Sequence, residues 1–505
     1  MAKKLYIFGI GGTGSRVIKA LTMLFAAGCK LDNGFDTVIP IIIDPDISNG
    51  DLDRTKNILR LYQEIRCQVN QPDDFFSQDV RTINELTNNS GEINPDYFQF
   101  KLKGVDGSSF GKYIGFDELS DDALLSEDDK NFVRLFYSDE NLKSDLSVGF
   151  KGNPNMGSIV LNQFTNSEDF QRFGLTFGSD DAIFIINSIF GGTGAAGFPL
   201  LLKNFRGNTG LPRAAQIKDA PIGGITYLPY FSLNDKPESS IDSDSFEEKA
   251  KIAIDYYNRT IINQNKINVL YLIGNKSANN IYENFEGKAE QKNDAHFLEM
   301  AGAIAVIDFC KNINSYSVDN GVAVNGTQVK EFGVEKDSEV LLFEHLNNEN
   351  LKLLFEPLTK FRLYTEYLAK GLQKSLNVSR WTKSNIKLVK KSKNSCIDEN
   401  YFNSPEYKNH IKGFNEYFTE WINEMSNNKP SFSPFNDITP DNALTLVKNK
   451  MPKGNFSFKS LDTENCLLID QNEMKFSVDK KHTTLIKLFG KSTAGVLKKH
   501  NLFKK

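Results

Sequence analysis

The sequence is sparing with the residues that build metal and disulfide chemistry. Its five cysteines, Cys29, Cys67, Cys310, Cys396 and Cys466, lie far apart, no C-x-x-C occurs, and the five histidines are scattered. That spacing argues against a disulfide framework or a structural zinc site and fits a reducing, cytoplasmic setting. No segment approaches the ~20 apolar residues that a membrane span requires. Met1-Ala2-Lys3-Lys4-Leu5 runs straight toward a strand and a glycine turn, without the apolar length and cleavage site of a signal peptide. Positive charge is not in excess either. A net charge of −4 over 505 residues removes the whole-chain basic field that would point to nucleic acid. A chain of this length holds two or three domains and a full core.

Glycine is where the sequence concentrates. The stretch Phe190-Gly191-Gly192-Thr193-Gly194-Ala195-Ala196-Gly197 follows the apolar run Ala182-Ile183-Phe184-Ile185-Ile186-Asn187-Ser188. It precedes Phe198-Pro199-Leu200-Leu201-Leu202, which reads as a helix start. The apolar run has the look of a buried parallel strand. Strand, glycine turn and helix together aim free backbone N–H groups and a positive helix end at a phosphate. A side chain in the turn would block that approach. A tight turn that binds nothing is the plain alternative.

The same arrangement opens the chain. Residues 5–8 read as a strand, Gly9-Ile10-Gly11-Gly12-Thr13-Gly14-Ser15 as a turn, and 16–25 as a helix with Val17, Ile18, Leu21, Leu24 and Phe25 at helical spacing. Its G-x-G-x-x-G suits a dinucleotide or mononucleotide site. A third loop, Gly149-Phe150-Lys151-Gly152-Asn153-Pro154-Asn155-Met156-Gly157, leads into a helix that opens at Asn153 or Asn155. The strand at 38–43 ends in Asp44-Pro45-Asp46. A carboxylate there could hold a ribose or a hydrated Mg²⁺, or merely form a solvated turn.

Further strands at 221–231 and 267–273 alternate with helices at 246–257 and 293–309. The last helix is apolar nearly all round, through Phe297, Met300, Ala301, Ile304, Ala305 and Ile307, which marks it as buried. The alternation predicts an α/β fold, a parallel sheet with helices on both faces and ligands beyond the carboxyl ends of its strands. Residues 48–147 carry one amphipathic helix (Leu52, Ile58, Leu59, Tyr62, Ile65) and an acidic surface at 117–129, and read as an insertion on a domain spanning 1–312.

The remainder, 313–505, reads as a smaller α+β C-terminal domain. It has strands at 316–324 and 339–343, a long helix at 351–376, and a core stripe of Phe414, Tyr417, Phe418, Trp421, Ile422 and Met425. Its end is basic: Lys480, Lys481, Lys487, Lys491, Lys498, Lys499, Lys504 and Lys505 interleave with Leu485, Ile486, Leu488 and Leu497. That pattern is a solvated helix face, or a surface for a partner or a membrane.

Three phosphate-type loops in this order resemble those of the tubulin/FtsZ family, among its divergent bacterial members. The central turn is similar to the family's G-G-G-T-G-[TS]-G, with Phe190 for the first Gly, Ala195 for Thr or Ser and Ala196 for the last Gly. Residues 149–157 resemble G-x-G-G-N-P-x-x-G, which closes over the γ-phosphate, and 225–230 resemble the V-T-x-P-F strand. Leu272-Ile273-Gly274-Asn275 sits where the family has I-P-N, and Asn293-Asp294 where N-D opens the central helix.

The resemblance covers about residues 3–310. It implies a Rossmann-like domain of tubulin/FtsZ type binding GTP or GDP, with Mg²⁺ as an optional companion. Phosphates would rest on Gly11, Gly12, Thr13, Gly14, Gly191, Gly192, Thr193 and Gly194, with Gly152 and Asn153 closing over them and Asp46 nearby. Asn275 and Asp294 would read the guanine. Self-association into filaments, or a partner protein, would follow.

The departures are informative. The family's ribose-binding E-G-x-x-R has no clear counterpart, although Glu238 and Glu247 are available. The co-catalytic acidic loop after the central helix is absent: Asn312-Ile313-Asn314-Ser315-Tyr316 carries no carboxylate pair. Weak or partner-dependent hydrolysis is therefore expected. A rival resemblance is to ATP-dependent adenylating enzymes of the ubiquitin-activating, ThiF-like type. Its G-x-G-G-x-G-S, D-x-D and S-N-L-N-R match 9–15, 44–46 and, loosely, Ser48-Asn49 with Leu52-Asp53-Arg54. That reading leaves the loops at 149 and 190 unexplained.

Overall fold

The computed structural model describes residues 3–69, 74–88, 93–121, 124–150, 152–207, 210–234, 246–275, 281–283, 288–332, 340–383, 397–443, 445–470 and 481–502. Its centre is a seven-stranded sheet: β1 (Lys3–Ile10), β2 (Phe35–Ile43), β3 (Asp79–Val80), β4 (Ala182–Ser188), β5 (Ile222–Tyr227), β6 (Val269–Ile273) and β7 (Gln328–Phe332). Every pairing is parallel and the order is β7-β6-β5-β4-β1-β2-β3. Sequence order runs one way from β1 to β3 and the other way from β4 to β7. The reversal falls between β1 and β4, which are hydrogen-bonded neighbours with Gly9 opposite Ile186. A crevice opens at such a switch point because the two following connections leave toward opposite faces.

The central strands are apolar because both faces are covered. All seven residues of β4 are buried, as are Leu5, Tyr6, Ile7 and Phe8 of β1. Helix α1 (Gly11–Ala27) runs back along the sheet, joined by α2 (Gly50–Gln68) and by α3 (Phe297–Lys311), the apolar central helix. Helix α3 begins later than the apolar pattern indicates. His296 is its N-cap, accepting the Leu298 N–H on Nδ1, while Glu299 accepts the His296 N–H. Asn293 and Asp294 therefore lie before the helix rather than opening it.

The stretch 48–147 is not a simple insertion. Its first part supplies α2, which packs along α1, and β3, which pairs with β2. Only the short helices between Phe110 and Lys143 stand outside the sheet, and Glu127–Phe136 buries none of its residues. Nor does the sheet end at residue 312, because Gln328–Phe332 adds its outermost strand beside β6. The expected strand at 316–324 is a hairpin of two-residue strands, Val318–Asp319 and Val322–Ala323, turned by Asn320 and Gly321 at φ 51° and 77°. Positive φ at both central residues is what an Asn-Gly hairpin turn supplies.

Beyond residue 340 the described chain is mainly helical; Val340–Leu341 paired with Ser431–Phe432 is its one strand pair among the described residues. Helix Asn348–Lys370 packs against α1, and helix Gly413–Asn427 buries Phe414, Phe418, Trp421, Ile422 and Met425. Phe361 and Phe414 lie 5.9 and 5.1 Å from Phe76, centroid to centroid, so these helices share the core of the first half. The basic end forms helix Lys481–Lys499, whose Leu485, Ile486, Leu488, Phe489 and Leu497 are buried. Its apolar face is spent on internal packing, with Phe489 5.3 Å from Tyr364, and no longer free to enter a membrane surface. Lys480, Lys504 and Lys505 lie outside the described residues. No helix among the described residues is long and apolar enough to cross a membrane.

Candidate functional site

The three glycine loops converge on the switch point. A Cβ built on Gly11 would stand 3.7 Å from the Thr193 Cβ and 4.0 Å from the Gly194 nitrogen, so the first two turns face each other. A Cβ on Gly192 would press on Phe150 Cβ at 2.9 Å and on the nitrogens of Asn153 and Gly152 at 3.0 and 3.1 Å, so the third loop closes against the second. Together they line one open cleft, with Gly11, Gly12, Thr13, Gly152, Gly191, Gly192, Thr193 and Gly194 on its walls.

Two helices end in this cleft with their donors free. Helix α1 starts at Gly11 and helix α4 (Gly192–Arg206) at Gly192; neither N-cap, Ile10 or Gly191, supplies a side-chain acceptor. Their first-turn N–H groups and positive dipole ends are thus left for an anion. The glycines divide the work. Gly14 does not line the cleft; a Cβ there would lie 2.7 Å from Gly9 Cα, so its role is close helix–strand packing. Gly194 combines both roles, lining the cleft and sitting 2.8 Å (as a Cβ) from the Ser188 nitrogen. Asn153 caps the helix Pro154–Leu161 by accepting from Asn155 and Met156, and is not on the cleft wall.

Carboxylates stand at the end of β2. Asp46 lines the cleft, but its oxygens accept from Ser48 N, Ser48 Oγ and Lys288 N. Asp44 also lines it; burial pushes its carboxyl up to about 7, against a hydrogen bond from Asp46 N that lowers it. A carboxyl so desolvated gains most from a cation beside it.

Below the cleft lies a network the sequence did not disclose. Arg16, buried in the first turns of α1 and on the cleft wall, donates to Glu299 at 2.6 Å, Asp51 at 3.1 Å and the Tyr230 hydroxyl at 2.9 Å. Burial opposes its charge, and Tyr230, Glu299 and Asp51 more than offset that, holding it above the ordinary arginine value. Arg54 joins Asp51 to Glu424 and donates to the Asn293 carbonyl, while the Lys19 ammonium lies 3.9 Å from Glu424. Arg16, Lys19 and Arg54 thus interleave with Asp51, Glu299, Glu424 and, at the exposed edge, Glu420, while burial lowers the pKa of Lys19.

The far wall is aromatic. Phe190, where the glycine signature would have its first Gly, packs 5.1 Å from Phe246 and 5.4 Å from Phe231, and all three line the cleft with Leu233. Glu283, Gln291 and Asn293 add polar groups to the rim. Asn275 and Asp294 do not line the cleft: Asn275 Nδ2 reaches the Lys429 carbonyl at 3.5 Å, and Asp294 is exposed. Glu247 lies in the first turn of the helix Phe246–Tyr257, and Glu238 lies outside the described residues. Asp308, the carboxylate on the last turns of α3, is occupied by Lys330 and the Tyr271 hydroxyl, each at 2.6 Å.

No family model matches this sequence, and no curated protein does. Among solved structures, the chain is similar to CetZ from Methanosaeta thermophila strain DSM 6194, with 14% identity and a TM-score of 0.22, over 62% of this chain and 54% of that one. The match thus spans about half the length of that protein. A helical model of a TubZ-Bt two-stranded filament aligns over 84% of this chain and 79% of its own, at 11% identity and a TM-score of 0.24. TM-scores this low assign neither fold nor chemistry, which rest on the sheet and the cleft themselves.

Proposed function

We propose that this chain is a tubulin-like nucleotide-binding protein that takes GTP or GDP in the switch-point cleft. The observation that carries the reading is the pair of uncapped helix N-termini, at Gly11 and Gly192, facing each other at the reversal between β1 and β4. Opposed helix ends suit a chain of phosphates. The aromatic wall of Phe190, Phe231 and Phe246 supplies a face for the base, and Glu283, Gln291 and Asn293 supply polar edges to read it.

Mg²⁺ fits beside Asp44, whose buried carboxyl has no cation partner among the described residues. Such an ion is usually held by one or two carboxylates plus phosphates. When bound it would neutralise phosphate charge; the chain's own part is to hold Asp44 at the end of β2.

Hydrolysis by the chain alone is slow in this reading, because the loop after α3 lacks paired carboxylates to orient a water. Filaments would form head to tail if the rotation between copies does not close. The adenylating alternative is weakened by Arg54: the arginine matched to its S-N-L-N-R is buried on Glu424, Asp51 and the Asn293 carbonyl. A structure determined with GDP tests the proposal. Phosphate density between the Gly11 and Gly192 turns supports it, and nucleotide seated elsewhere overturns it.

A further inference from the structure

Helix α4 carries a second cavity at its other end. Between its last turns and the helix Phe246–Tyr257 with its π-helical continuation, Asn258–Ile262, lies a cavity of about 390 Å³. It sits at the amino ends of β5 and β6, away from the glycine cleft. Pro199 helps to create it. Proline cannot donate to the carbonyl four residues back, and Ala195 O is taken up instead by the Tyr257 hydroxyl at 3.3 Å. The π-turn provides the opposite wall through Thr260 and Ile261; such turns recur at functional sites.

The charges lining this cavity are all positive: Lys203, Arg206 and Lys266. Neither lysine forms an ion pair among the described residues. Arg206 spends Nε on the Lys266 carbonyl and Nη1 on those of Lys218 and Ala220, leaving the buried Nη2 with no hydrogen-bond partner. Burial lowers its pKa to about 9, with Asp219 a partial counterweight. The negative end of α4 works against an anion here, but it amounts to roughly half a charge, against three formal cations. The volume falls in the lower part of the ~300–1,000 Å³ range of small-molecule sites, larger than a lone ion needs.

We propose that this cavity binds a small organic anion, its acidic group on Lys203 and Lys266 beside the buried Arg206 guanidinium and its apolar body against Pro199, Leu202 and Tyr256. Arg206, with Nη2 shut off from solvent, contributes the field of its buried guanidinium. The class is a carboxylate or phosphate monoester carrying an apolar group.

Calorimetric titration of the full chain with naphthoate, naphthyl phosphate, neutral naphthalene methanol and inorganic phosphate tests this. Saturable one-to-one binding of at least one aromatic anion is expected, the better of the two naming the acid group. The alcohol and inorganic phosphate should each bind at least about tenfold more weakly. Lys203→Ala/Lys266→Ala should weaken the anion about tenfold, and Thr260→Trp should block it by filling the space. Arg206 is left intact because it also holds three carbonyls of the fold. Gly12→Asp, which lies in the other cleft, should leave this binding unchanged, so failure of the nucleotide reading would not be mistaken for failure here. Equal binding of the alcohol, equal binding of phosphate alone, indifference to the lysine pair, loss in Gly12→Asp, or no saturable binding of either anion would overturn the proposal.

Discussion

Gly11 and Thr193 face each other across the switch point, close enough that a Cβ on Gly11 would lie 3.7 Å from that of Thr193. The two turns follow β1 and β4, the neighbouring strands at which the sheet changes direction. Their convergence makes one anion site from two distant segments, and the first prediction follows from how little room each glycine has.

Gly12 is the position to test. A Cβ there meets only the Arg16 Nη1, at 3.5 Å, so Gly12→Asp fits the fold while placing a negative charge in the cleft. Nucleotide affinity should fall at least about tenfold with the melting temperature little changed. Gly192→Asp should lose affinity too, but its Cβ would collide with Phe150 and the backbone of the third loop, so only Gly12 separates charge from packing. Unaltered affinity in folded Gly12→Asp would show that the first turn is structural.

Arg16→Met should be severe. It leaves buried Glu299 without its ion-pair partner and takes from buried Asp51 one of its two cations, Arg54 remaining. Breaking a buried pair from one side costs about 3–5 kcal/mol. Urea denaturation should register that loss; a change below about 1 kcal/mol, the size of an exposed pair, would mean the network is not energetically coupled.

How much of this was legible in the sequence follows from range. The long apolar strands and the glycine turns are local signals: two loops follow β1 and β4, and the third opens the helix Pro154–Leu161. The Arg16–Glu299 and Arg54–Glu424 contacts join residues hundreds of positions apart, and no local pattern announces them. The apolar stripe of α2 is legible, but its burial against α1 is not, for a related reason: Asp51, Arg54 and Lys56 are charged yet buried, so its sequence looks like a surface helix. Strand β3 has two residues, too few for a period, and β7 alternates Gln, Val, Lys, Glu, Phe as an edge strand. Asn275 and Asp294 were placed by resemblance alone, and the local geometry puts both off the cleft wall.

Asp44 gives a pH dependence of defined sign. Its pKa rises from 3.8 in the unfolded reference to about 7 in the fold, chiefly through burial. Between those values the folded state holds a proton that the unfolded state has released. This group's stabilisation is therefore full below about 4 and lost as pH climbs to about 7, with a slope of at most ~1.4 kcal/mol per pH unit. Asp44→Asn should match the parent near pH 4 and exceed it in urea stability near pH 8. The opposite ordering at pH 8 would show that Asp44 is ionised and stabilised in the fold.

Turnover should be slow and indifferent to assembly. Asp308 is tied to Lys330 and Tyr271, and Asp319 is an exposed hairpin residue, so no acidic pair is poised after α3 among the described residues. Phosphate release per molecule should stay flat as protein concentration rises. A steep increase would mean that a neighbouring copy completes the site with a carboxylate, Asp319 being the first to mutate.

The most direct test of the central claim is an equilibrium titration of the purified chain with labelled GTP, challenged by unlabelled GDP and ATP in the presence of Mg²⁺. The nucleotide reading predicts saturable binding at one site per chain, displaced by GDP and poorly by ATP. Absence of saturable binding would contradict it, as would preference for ATP accompanied by pyrophosphate exchange, which belongs to an adenylating enzyme.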